Sequence, residues 1–81
     1  MTPQALRDIL LETLGEIAPE ADLASVDDEE SLREELDLDS MDFLRLVQRL
    51  HERLGVEVPE LDYPQLDTLA SAVDYLAERI P

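Results

Sequence analysis

The chain has 81 residues, no cysteine and no tryptophan, and its 21 acidic against 6 basic side chains, all of the latter arginine, give a formal charge of -15. A disulfide framework is excluded and, with a single histidine, so are the usual Cys/His zinc sites. Nucleic acid and anionic lipid are disfavoured as partners, which should instead present basic surfaces.

Thr2 followed by Pro3 makes a cap and first-turn proline, and Leu6, Ile9, Leu10, Leu14 and Ile17 then recur at helical spacing. Arg7, Asp8, Glu12 and Glu16 interrupt the apolar residues, unlike the core of a secretory signal. No run approaches the roughly 18 apolar residues of a membrane span. Residues 1–81 are therefore expected to form one domain, cytoplasmic, monomeric and without membrane insertion.

Ala18-Pro19 ends the first helix, and a carboxylate-rich connection runs from Glu20 to Asp39, with Leu23, Val26, Leu32, Leu36 and Leu38 as anchors. Ser31 to Glu35 suits a short helical turn. The second long helix is predicted over Ser40 to Leu54, with Phe43, Leu46, Val47, Leu50 and Leu54 on one stripe and Gly55 as its left-handed terminator. Pro59 and Pro64 limit the stretch from Glu60 to Leu66 to a single helical turn. Asp67 or Thr68 then caps a last helix whose Leu69, Ala72, Val73, Leu76 and Ile80 share a face. The fold class is all-α: a small bundle of three long amphipathic helices plus one short helix, with a long loop between the first two long helices.

The chemistry concentrates at Asp39-Ser40-Met41-Asp42. Asp39 can accept a first-turn N–H, and Asp42 sits three residues later at the reciprocal capping position. That arrangement leaves the Ser40 hydroxyl free. A phosphate placed there would lie beside the unpaired N–H groups of a helix start. The plain alternative is that Ser40 is itself a cap. A calcium loop over Asp37 to Asp42 is rejected, because Asp42 stands where such a loop needs glycine and Gln48 where it needs a bidentate glutamate. With no cysteine, thioester chemistry would need a thiol on an attached group.

Asp39-Ser40-Met41 resembles the signature of acyl and peptidyl carrier proteins. Gly55-Val56-Glu57-Val58-Pro59 resembles the family's helix-ending glycine, apolar segment and proline, and Thr68 to Leu76 resembles its last helix. The resemblance implies that a phosphopantetheinyl transferase, with magnesium and a base of its own, directs the Ser40 oxygen onto the pyrophosphate of coenzyme A. Ser40 would then bear covalent 4'-phosphopantetheine. It also implies that the chain is no enzyme and that neither aspartate is catalytic; from the residues themselves, no dedicated metal site is expected.

Acyl or aminoacyl thioesters would pass from a loading ligase to acyl-processing enzymes of a specialised lipid, polyketide or related pathway. The expected contact face is Met41, Asp42, Arg45 and Arg49. In the family an alkyl chain can retreat among the helices, here among Phe43, Leu46, Val47, Leu50, Tyr63, Leu66 and Leu69. Phe43 stands where smaller residues are often found, which disfavours sequestration of long chains.

Two departures from the family pattern stand out. Arg45, Arg49, His51 and Arg53 occupy a helix face that is acidic in fatty-acid carriers; altered partner choice and ion pairs, within the helix or with loop carboxylates such as those from Asp27 to Glu35, are two compatible accounts. Asp37 stands where glycine is frequent. Two rival readings are a housekeeping fatty-acid carrier and a small acidic interaction module with no prosthetic group.

Overall fold

The computed structural model describes residues 1–80. Its helices are α1 (Pro3–Ile17), a single turn α2 (Leu32–Glu35), α3 (Ser40–Leu54) and α4 (Leu69–Arg79), with 3-10 helices at Leu23–Ser25 and Glu60–Leu66. No strand occurs among the described residues, only an isolated antiparallel bridge between Ser31 and Thr68. The expected three long helices are present.

Helix ends follow from local chemistry. Thr2 caps α1 by accepting the Ala5 N–H, and Thr68 rather than Asp67 caps α4 by accepting that of Ser71. Asp67 instead accepts a hydrogen bond from the Ser31 hydroxyl at 2.8 Å. Gly55 ends α3 at φ 69°, where a side chain would be strained. The 3-10 helix Glu60–Leu66 has seven residues, longer than the single turn predicted. Three-residue bonding explains the difference, since the carbonyls of Pro59 and Pro64 accept N–H bonds from Asp62 and Asp67 although neither proline can donate. Ile80 lies just past the end of α4 as its half-buried cap residue.

α1 packs against both α3 and α4. Leu6, Leu10 and Leu14 meet Leu46 and Leu50 from α3 and Leu69, Ala72 and Leu76 from α4 in one buried cluster that also includes Leu32 and Leu66. Arg53 pairs with Glu12 and Glu16, and Arg49 pairs with Glu16, so α1 and α3 run in opposite directions. Arg53 also donates to the buried Thr13 hydroxyl, which itself donates to the Ile9 carbonyl at 2.7 Å.

The long loop is fastened at several points. Gly15 lets Leu23 approach α1 closely, since a Cβ there would stand 3.1 Å from the Leu23 Cδ1. The backbone carbonyl of Asp28 accepts the Ala70 N–H at 3.0 Å, and its carboxylate receives Arg7 at 2.9 Å. The Leu32 N–H donates to the Asp67 carbonyl. Asp28 thus ties the loop to α1 and α4 together.

Its hydrogen bond and ion pair with Arg7 hold the Asp28 carboxyl below the usual carboxylate range. A carboxyl lowered by folding adds stability that is full above its unfolded pKa and fades as pH falls through its folded one. Thermal unfolding should therefore show Asp28→Asn less stable than wild type at pH 7, with the gap closing below about pH 4. An unchanged gap at pH 3 would contradict this role for the pair.

Candidate functional site

Asp39 has extended backbone angles and its carboxylate accepts the Asp42 N–H at 2.8 Å, while the Asp42 carboxylate accepts the Asp39 N–H at 3.4 Å. The two aspartates cap one another. Ser40, the first helical residue, is exposed, and among the described residues its hydroxyl makes no hydrogen bond to protein. The N–H groups of Ser40 and Met41 belong to the first turn and have no acceptor within α3.

The approach to this serine is tied back to α2. Leu38 is 6% exposed, and its N–H donates to the Arg33 carbonyl at 2.9 Å. Between them Asp37 adopts φ 53°, the left-handed conformation that glycine takes most readily and aspartate tolerates better than most. Asp37→Gly should leave the turn in place and raise stability by up to about 1 kcal/mol, read as a higher midpoint in urea. A loss of stability would show that the Asp37 side chain supports the turn.

On the other side, Phe43 is 5% exposed and meets Tyr63 edge to face at 5.4 Å, and the Arg33 guanidinium lies 5.6 Å from the Phe43 ring centre. Arg33, Phe43 and Tyr63 line two open clefts. One, of about 210 Å³, also takes in Ser40, Leu44 and Glu60. The other, of about 450 Å³, also takes in Ser31, Glu34, Pro64 and Asp67. Behind these aromatic rings, Leu46, Leu50, Leu66 and Leu69 are at most 1% exposed and fill the core.

Met41, Asp42, Arg45 and Arg49, the expected contact face, share one side of α3 and differ in what holds them. Met41 and Leu44 are exposed apolar side chains beside Ser40, and among the described residues Arg45 pairs only with Asp42, at 3.9 Å. Arg49 and Arg53 pair with α1, not with the loop carboxylates from Asp27 to Glu35, because the antiparallel packing brings Glu12 and Glu16 alongside them. His51 is exposed, its Nδ1 3.3 Å from the Val56 carbonyl oxygen. Sequence reasoning passed over Leu44 and Arg33. Leu44 stands four residues after Ser40 on the same helix face, a spacing that would have revealed it. No sequence signal places Arg33 against Phe43.

The phosphopantetheine attachment site family model matches residues 4–76. An acyl carrier protein from Rubrobacter xylanophilus is 35% identical over 75 residues, covering 93% of this chain and 86% of its own. The chain belongs to the acyl carrier protein family.

Two solved structures share the fold. The acyl carrier protein from Enterococcus faecalis superposes with a TM-score of 0.80 at 22% identity, covering 98% of this chain and 99% of its own. The A1-type ACP domain from module 5 of MLSA1 superposes with a TM-score of 0.73 at 24% identity, covering 100% of this chain and 84% of its own. Acyl carrier proteins hold 4'-phosphopantetheine covalently, and the residues here fit that group. They offer an exposed hydroxyl with no protein hydrogen bond and two open first-turn N–H groups, in a chain that has no thiol of its own.

Proposed function

We propose that residues 1–81 act as one carrier domain, that Ser40 is the attachment residue, and that the cargo pathway is specialised. The observation that carries the assignment of Ser40 is the mutual capping of Asp39 and Asp42, which leaves the serine oxygen exposed. The arm supplies the thiol that holds an acyl or aminoacyl group as a thioester. The protein's part is presentation: α3 fixes the position of the hydroxyl, Leu38 and Phe43 hold the helix start from either side, a base on the transferase receives the hydroxyl proton, and the pyrophosphate P–O bond breaks to release adenosine 3',5'-bisphosphate. Fragmentation of the modified protein should locate the arm on the peptide containing Ser40. An arm on any other residue would refute the assignment.

Partner choice follows from the surface around that serine. Exposed Met41 and Leu44 stand next to Arg45, so the apolar contact area is flanked by a cation, and basic patches on general fatty-acid enzymes would meet repulsion. This favours a dedicated ligase and its downstream enzymes over the housekeeping cycle. Arg45→Glu should improve kcat/KM with a general ketoacyl synthase by about fivefold, the equivalent of about 1 kcal/mol for one close charge pair. No change, or a decrease, would favour the housekeeping role.

The packing of Phe43 against Tyr63, with Leu46, Leu50, Leu66 and Leu69 filling the interior, supports cargo held outside the bundle.

A further inference from the structure

Arg33 differs from the other arginines. Arg7 pairs with Asp28, Arg45 with Asp42, Arg49 with Glu16, Arg53 with Glu12 and Glu16, and Arg79 with Asp62 and Glu78. Among the described residues Arg33 pairs with no carboxylate, although 21 acidic side chains are available. Instead it rests over the Phe43 ring and lines the same 210 Å³ cleft as Ser40. An aromatic face holds a guanidinium in place but leaves its N–H donors free.

A phosphodiester on Ser40 would add an anion beside Asp39, Asp42 and Glu60 in a protein whose charge is already -15. The open N–H groups of Ser40 and Met41 offset part of that repulsion. A cation in the same cleft supplies the rest.

Building on the assignment of Ser40, we propose that Arg33 is a positioning residue that binds the phosphodiester of the attached arm. The guanidinium matches phosphate oxygens with two parallel N–H donors. Binding draws Arg33 toward the serine and fixes the angle at which the arm leaves the protein. Arm attachment and the opening of the Arg33–Phe43 contact are then linked.

The test is nuclear magnetic resonance of the full chain, before and after modification with coenzyme A and a phosphopantetheinyl transferase. The Arg33 Nε–Hε signal is the one lost in Arg33→Gln. It is expected to shift on attachment while the Arg7 and Arg79 signals stay in place. The phosphorus resonance of the modified protein should shift in Arg33→Gln and return toward the wild-type position in Arg33→Lys. A stationary Arg33 signal would overturn the proposal, as would one that moves only after loading of a carboxylate-terminated acyl group, which assigns the arginine to the cargo. Intact mass is read first: a chain that gains no arm refutes the Ser40 assignment itself, separately from any failure of Arg33 to respond.

Discussion

Replacing Ser40 by alanine is expected to abolish arm attachment while leaving the fold close to wild type. The two consequences separate because the helix start does not depend on the serine: Asp39 accepts the Asp42 N–H, and Asp42 returns the contact to the Asp39 N–H. Alanine has the higher helix propensity, so the change in stability should stay within about 0.5 kcal/mol of zero. Were Ser40 itself the cap, the same substitution would cost about 1 kcal/mol or more. Urea unfolding and intact mass on the same sample distinguish these cases. In the rival view of a small acidic interaction module, Ser40 is only a cap, and Ser40→Ala would weaken folding by about 1 kcal/mol without abolishing function.

The largest effect on stability near the site is expected for Phe43→Ala, at about 3 kcal/mol, the lower end for a buried aromatic because its ring borders open clefts. A domain of this size is held by roughly 4–12 kcal/mol in total, so the loss is a large fraction. The substitution also removes the ring that Tyr63 and Arg33 pack against and that lines both clefts.

Functionally, the wild-type protein should show the same melting temperature with or without a long acyl chain on the arm. The acylated Phe43→Ala protein should melt above its unacylated form, because the chain refills the space. Phe43→Val serves as the milder variant if alanine unfolds the domain. A wild-type protein already stabilised by a long acyl chain would show that its core admits cargo.

How far the chain could be read in advance depended on whether the relevant physics was local. Thr2, Asp39, Thr68 and Gly55 each set a helix end through bonds within a few residues, and apolar spacing gave the buried faces of α1, α3 and α4. The exposed position of Ser40 was legible for the same reason.

Contacts made across the fold were not. With 21 carboxylates available, nothing in the sequence singles out Glu12 and Glu16 as partners of Arg49 and Arg53, and only the packed helices decide it. Asp28 looks like one more acidic loop residue until its backbone meets Ala70 and its side chain meets Arg7. Arg33 was hidden in the same way, since its partner is an aromatic ring ten residues further along the chain, brought near by the turn through Asp37.

Carrier function requires that the exposed Ser40 hydroxyl accept the arm. Intact mass spectrometry after incubation with coenzyme A, magnesium and a broad-specificity phosphopantetheinyl transferase tests it most directly. The predicted result is a gain of one phosphopantetheine group by the wild type and none by Ser40→Ala. A wild-type mass that does not change, or an equal gain in the alanine variant, would contradict it.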